Sequence, residues 1–384
     1  MRTLSLPTAF AVTLSLLFSC KPKPTLQVIE TDYLNKAQIT IQADTVHVEL
    51  PLSVHSMIHC DSLNIVIAED PQGYISVYSQ DWQLIDRFGN KGRARNEFLE
   101  VPMINSNQIF KGADGHILLP LCETRGKMIK LVDITESMDK HRTVITDSRR
   151  FEFGDRHRVY EEETDSYVYY LCDFTFLFLD DNIYHTMETT EASFYDRFKE
   201  PIQYRIRHDT AFVEKPDILT AMEELVGPRR QSKFIRTNYR HPKRNLIIEL
   251  FEYNNYIAFL DLDNNRRYFV HQEGAITFDQ EIEKVEINQD GDTFTIPKYR
   301  TFTNAITTDS FFMVTYYGSS YFDEDATPEL MFFDWEGNFI KSVKLSLAIR
   351  CLSYDPNLKT LYGLNIKSDN EELIRFNLST IIDW

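Results

Sequence analysis

One unit recurs along this chain: a polar turn, a short apolar strand, a second turn, another strand, then an Asp/Asn/Gly-rich turn and a third strand. Its plainest pair lies far apart. Tyr239-Arg240-His241-Pro242-Lys243-Arg244-Asn245 leads into Leu246-Ile247-Ile248, and Tyr354-Asp355-Pro356-Asn357-Leu358-Lys359 leads into Thr360-Leu361-Tyr362. The same order follows Asp61-Ser62, Asp114-Gly115, Asp180-Asp181-Asn182 and Thr308-Asp309-Ser310. Six copies start near residues 60, 114, 180, 241, 309 and 355. Those intervals hold four short strands plus loops of variable length. A sheet that small cannot bury both faces alone, so the copies must stack, and a closed ring leaves only short edges. An aromatic content of 13%, with 20 Tyr and 27 Phe, suits strands better than helices. The expected fold is therefore all-β: a six-bladed β-propeller of four-stranded antiparallel blades spanning residues 39–384.

Two features depart from the unit. Pro216 to Pro228 reads as a short helix, with Pro216 and Asp217 in its first turn, Ile218, Leu219, Met222, Leu225 and Val226 on one stripe, and Gly227-Pro228 at its end. A closed ring also needs a clasp. Either Ile39-Thr40-Ile41 or Val46-His47-Val48-Glu49-Leu50 is placed to join the blade built from residues 355–380. The turn Asp334-Trp335-Glu336-Gly337-Asn338 reads as a tight hairpin, with Gly337 free to take φ > 0.

Asp86-Arg87-Phe88-Gly89-Asn90-Lys91-Gly92-Arg93-Ala94-Arg95-Asn96-Glu97-Phe98 resembles the "hFGxxGxGPxEF" segment of six-bladed, TolB-like bacterial lipoproteins, which are related in shape to NHL propellers. Gly89, Gly92, Glu97 and Phe98 match, whereas Arg93-Ala94-Arg95-Asn96 replaces the usual Gly-Pro-rich centre and implies a less tight loop. In that family the segment shapes the crossing between blades and carries no chemistry, so the resemblance transfers no catalytic residue.

The first twenty residues give an address. Arg2 is the only charge before an apolar stretch from Ala9 to Phe18, which is the length of a signal-peptide core and too short to span a bilayer. Leu17-Phe18-Ser19-Cys20 resembles the bacterial lipobox, which implies cleavage before Cys20 and lipidation of that residue. Several acyl chains on one residue give stable anchoring, at about 0.8 kcal/mol per buried CH₂. The domain reading is a lipoprotein signal peptide at 1–19, a lipidated tether at 20–38 beginning Lys21-Pro22-Lys23-Pro24, and the propeller. The expected location is the cell envelope, at the outer membrane and facing the periplasm.

A net charge of −17 excludes nucleic acid as a natural partner, because phosphate binding needs clustered cations. Against that background Arg229, Arg230, Lys233, Arg236, Arg240, Lys243 and Arg244 form a basic run with no acidic residue among them. The run reads first as a solvated loop and strand whose cations pair with neighbouring acidic blades, and is also a candidate site for an anionic glycan, phosphate or headgroup. Tyr169 and Tyr170, in the aromatic stretch Tyr167-Val168-Tyr169-Tyr170, are a second candidate binding surface. Cys60, Cys122, Cys172 and Cys351 form no C-x-x-C pair and read as free, packed thiols.

Catalytic motifs are absent: there is no H-E-x-x-H, G-x-S-x-G or P-loop. Asn288-Gln289-Asp290-Gly291-Asp292 departs from a calcium loop at its start and its twelfth position and reads as a hairpin turn. Glu161-Glu162-Glu163-Thr164-Asp165 and Asp323-Glu324-Asp325 read as solvated loops, the places where calcium would find oxygen ligands. No cofactor is expected. The sequence thus points to a non-enzymatic binding or scaffold module that meets another envelope protein, a small ligand or a glycan. The alternative is a lactonase-like hydrolase with a metal in the central channel.

Overall fold

The computed structural model describes residues 27–104, 108–112, 114–123, 128–150, 236–261, 263–264, 266–272, 299–320, 323, 326–368 and 370–382. Backbone alone is described for 149–150, 236, 282–286, 293–297, 299, 320 and the strands between 158 and 214.

Five blades are described with their side chains, where the sequence predicts six. Blade A is Val54–Cys60, Leu63–Ala68, Ile75–Ser79 and Leu84–Phe88; blade B is Phe110–Lys111, Ile117–Glu123, Met128–Asp133 and Ile145–Arg150. Blade C is Arg236–Arg240, Leu246–Phe251, Tyr256–Asp261 and Arg266–His271; blade D is Tyr299–Thr307, Phe311–Ser320, Glu329–Asp334 and Phe339–Leu345. Blade E is Ile349–Asp355, Thr360–Asn365 and Leu373–Asn377. The third sequence copy falls in a sheet described by its backbone: Cys172–Leu179, Asn182–Thr189, Gln203–Arg207 and Thr210–Glu214, in the same strand order. The expected all-β architecture of four-stranded antiparallel blades is therefore present, and each repeat copy starts at the second strand of its sheet.

Stacking explains why the middle strands read as continuous apolar runs. A blade buries both faces against its neighbours, so Leu246–Phe251 is buried at every position, whereas the outer strand Leu84–Phe88 is exposed at Leu84 and Ile85 and buried only at Phe88. Among the described residues this gives four inter-blade cores. Blades A and B meet at Ile58, Ile67, Phe98 and Leu119; C and D at Phe259, Phe302, Phe312 and Phe333. Blades D and E meet at Met313, Phe332, Leu361 and Phe376, and E and A at Met57, Trp82, Tyr362 and Leu364.

The residues before blade A form a belt. Gln27–Glu30 adds in parallel to the outer strand of blade C, Thr40–Ile41 adds in parallel to that of blade D, and Asp44–Thr45 completes blade E as its fourth strand. The clasp thus lies between the two segments named from the sequence. Ile39–Ile41 serves blade D instead, and Val46 only extends the clasp, donating its N–H to the Leu373 carbonyl at 2.8 Å. The paired strand Gln27–Glu30 also falls within the range read as tether. Tyr33 pins the belt. It is fully buried between Phe302 and Phe333, its hydroxyl donates to the Asn255 carbonyl at 2.9 Å, and Gln272 Oε1 accepts its N–H and that of Leu34.

The Gly89–Phe98 crossing is closed rather than loose. Gly92 N–H donates to the Phe98 carbonyl at 2.8 Å and Phe98 N–H to the Asn90 carbonyl at 2.9 Å. Glu97 Oε2 accepts the Ala94 N–H, so the glutamate does the turn-tightening that the missing Gly-Pro would have done. Gly89 sits at φ +92, and a Cβ at Gly92 would fall 1.9 Å from Glu97 Oε2. The hairpin at Asp334 forms as read: Asp334 Oδ1 accepts from the N–H groups of Glu336 and Asn338, and Gly337 has φ +89.

The stretch read as a helix from Pro216 to Pro228 lies outside the described residues. A different helix, α1 (Ile134–Lys140), follows the third strand of blade B. Asp133 caps it by accepting the Glu136 N–H, and Ile134 and Met138 pack into the A–B core. The spacing Asp133-x-x-Glu136 is the sequence signal for that start. Cys60 and Cys122 are free and buried, and burial pushes their thiols up to about 11 and about 12. Cys351 is free and half-buried.

Candidate functional site at the channel mouths

The inner strands of blades A, C, D and E run side by side around a central channel, and each begins at the same end. That end opens into a cavity of about 690 Å³ lined by Val54–Met57, Thr237–Tyr239, Arg300, Asn304, Arg350, Cys351 and Glu371. The opposite end opens into one of about 440 Å³ lined by Ile58, His59, Pro242, Thr308, Asp309, Ser353, Tyr354 and Lys359.

The first mouth is shaped by breaks in strand register. The inner strands of blades A, D and E bulge between Val54 and Ser56, at Arg300–Phe302–Ala305, and between Arg350 and Ser353. Bulges re-aim side chains and are common beside binding sites. Cys351, in the last bulge, has φ +52, the left-handed region. The outcome is two guanidiniums at one opening. Arg350 Nη2 pairs with Glu371 Oε2 at 2.5 Å, and its Nη1 donates to the Val54 carbonyl at 2.6 Å, tying blade E to blade A. Arg300 Nε pairs with Glu252 Oε1 at 2.8 Å, and its guanidinium lies 6.0 Å from the Tyr317 ring centroid. Burial raises the Glu252 carboxyl above the ordinary range, and Arg300 opposes that shift. Both arginines keep a third or more of their side chains in solvent. None of this was legible in the sequence, because Arg300 and Arg350 sit in different blades and only ring closure brings them together.

The second mouth holds a buried polar network. Asn64 Nδ2 donates to the Ser79 carbonyl, which leaves Asn64 Oδ1 to accept from His59 Nδ1 at 2.9 Å. His59 Nε2 then lies 3.6 Å from Asp355 Oδ1 without a hydrogen-bond partner. Asp355 itself is satisfied by Gln80 Nε2 and the N–H groups of Asn357 and Leu358.

The basic run divides across the two ends. Arg229, Arg230 and Lys233 lie outside the described residues, as do Cys20, Tyr170 and the 288–292 turn. Tyr169 is described only as backbone in the hairpin Arg158–Glu161/Ser166–Tyr169. Arg236 begins the inner strand of blade C, next to the first mouth, with its side chain outside the description. Arg240 is buried and clamps its own turn, donating to the Arg244 carbonyl and to Asn245 Oδ1. Lys243 pairs with Asp309 at 2.5 Å and Arg244 with Glu336 at 3.8 Å, both on blade D. The pairing of cations with a neighbouring blade is thus realised for these two.

His241 accepts the N–H groups of Lys243 and Arg244 at Nδ1 and packs on Trp335 at 4.6 Å. Burial, reinforced by the Arg244 charge, lowers its pKa to about 4. A depressed histidine contributes stability above its unfolded value near 6.5 that is lost as pH falls towards 4. Denaturation midpoints should therefore drop across that window, and His241→Asn, whose amide oxygen can accept the same N–H groups, should flatten the drop; an unchanged profile contradicts the assignment.

Among the described residues no group of three or more His, Cys, Asp or Glu converges as a metal site. Glu371 is the only described acid lining the first mouth and Asp309 the only one lining the second. No helix among the described residues is long and apolar enough to cross a membrane.

No protein-family model and no curated protein sequence matches the chain. Solved structures do. A member of the DUF4221 family from Bacteroides vulgatus superposes with a TM-score of 0.54 at 8% identity, covering 89% of this chain and 98% of that one. A protein from Bacteroides fragilis, described as exported, gives a TM-score of 0.45 at 8% identity, covering 92% of this chain and 99% of the other. The first of these likenesses shows a shared propeller fold.

Proposed function

We propose that this protein is a lipid-anchored envelope module that binds a small anionic ligand, such as a carboxylate-bearing glycan, at the first mouth of a six-bladed, TolB-like propeller. In this reading the sheet over 172–214 is the remaining blade and Cys20 carries the lipid. The observation that supports the site is the convergence of Arg300 and Arg350, half-exposed, at one bulged opening of about 690 Å³. Each guanidinium is held in place by a glutamate, and the part of each side chain that stays in solvent would meet a ligand carboxylate. Arg236 begins the strand that lines the same mouth, and with Arg229, Arg230 and Lys233 just before it in the sequence it would raise the local anion concentration. Non-enzymatic binding fits better than metal-dependent hydrolysis, since one carboxylate lines the described part of this mouth.

Calorimetric titration with a uronic-acid oligosaccharide, and with its neutral counterpart as control, tests the reading. Binding of the acidic sugar alone is expected, weakened at least tenfold by Arg300→Ala or Arg350→Ala, since a charge-assisted hydrogen bond is worth about 1.5–3 kcal/mol. The triple change of Arg229, Arg230 and Arg236 to Glu should weaken it further and reduce its salt sensitivity. Equal affinity for both sugars, or arginine variants that bind like the parent, would refute the site.

A further inference from the structure

The belt gives the anchored protein a direction. The inner strands run from the first mouth to the second, so the fourth strand of each antiparallel blade runs back from the second to the first. Gln27–Glu30 is parallel to the fourth strand of blade C, with Gln27 beside Tyr268. The chain therefore enters the belt from the second-mouth side, where Arg266 donates to Gln27 Oε1 at 3.0 Å. We infer that the lipid-anchored protein holds its second mouth and the rim of blade C toward the bilayer and presents the first mouth away from it. The inference rests on the reading of Cys20 as the lipidated residue.

Tether length decides the matter. Only residues 21–26 separate Cys20 from the paired strand. Fully extended, those seven peptide steps reach about 25 Å. An inner strand of seven residues makes the disc about 23 Å thick. Turning the first mouth to the membrane would draw the whole tether taut along the rim, whereas the proposed orientation leaves it slack. A free tether over 20–38 would reach about 65 Å and impose no direction. The belt removes that freedom, because Tyr33 and the two parallel ladders fix residues 27–41 to blades C and D.

The orientation is read by energy transfer from full-length, lipidated protein in phosphatidylethanolamine–phosphatidylglycerol vesicles that carry an acceptor dye on a headgroup. A donor is placed through a bioorthogonal residue at Lys243, on the second-mouth side, or at Asn370, beside Glu371 on the first. Transfer is expected to be several-fold greater from position 243. Inserting about twenty Gly-Ser residues between Thr25 and Leu26 should erase the difference, because a flexible linker of that length reaches either side. Equal or reversed transfer in the parent protein, with flotation on the vesicles intact, overturns the orientation alone. Failure to float, or flotation that survives Cys20→Ser, overturns the anchor reading and the orientation with it.

Discussion

Lys130→Met is expected to lower the free energy of unfolding by about 3–5 kcal/mol, the range for breaking a buried ion pair from one side. Lys130 Nζ sits 2.8 Å from Glu123 Oε1, and both side chains are all but sealed from water, at 5% and 1% exposure. The ammonium also donates to the Glu97 carbonyl and lies 4.8 Å from the Phe98 ring centroid. It thus ties the middle of blade B to the crossing that follows blade A. Methionine keeps the stem and removes the charge, leaving the Glu123 carboxylate desolvated and stripped of its cation. Adding Glu123→Leu should recover most of the loss, because two apolar groups of similar size pack where the pair was. Guanidinium denaturation of the single and double variants checks both results. A loss under about 1 kcal/mol in the single variant would mean that water reaches the pair.

Tyr33→Ala should cost a similar amount, about 3–5 kcal/mol, the range for deleting a buried aromatic ring. The ring is fully buried and meets Phe333 edge-on at a centroid distance of 5.7 Å. Its loss opens a cavity between blades C and D and unpins the belt. Tyr33→Phe should cost only about 1 kcal/mol, the value of one hydrogen bond to a carbonyl. Limited proteolysis distinguishes the consequences: Tyr33→Ala should expose the chain between Gln27 and Lys36 to early cleavage, and Tyr33→Phe should not. Cleavage no faster than in the parent would show that the parallel ladders alone hold the belt.

The glycine-rich crossing illustrates how far the resemblance carried. Gly89 takes the left-handed region, Gly92 lies hard against the Glu97 carboxylate and Phe98 is fully buried, so the segment shapes the crossing that follows blade A. The missing Gly-Pro centre suggested slack, yet Glu97 closes the loop through the Ala94 N–H. That contact depends on a side chain folding back on its own turn, and no spacing rule announces it. The start of helix α1 is written locally, in Asp133-x-x-Glu136, within a stretch where the strand repeat is the stronger pattern.

The clasp and the site were illegible for a different reason. Short N-terminal strands such as Asp44–Thr45 carry too few residues to show a pattern, and their register is set by the sheet edge they meet. Likewise the basic run is conspicuous in the sequence because its charges cluster within sixteen residues, from Arg229 to Arg244. Its described members Arg240, Lys243 and Arg244 turn out to be engaged within blade C or with blade D. The arginines at the first mouth, 50 residues apart, carry no such signature.

The strand-forming unit, its repetition and its turns are written in local sequence, because alternation, apolar runs and Asx-Gly turns act within a few residues. Which strand closes the ring, where the N-terminal belt lies and which charges meet at the channel follow from how the blades pack. Those depend on blades packed face to face around a closed circle, a geometry that couples residues hundreds of positions apart.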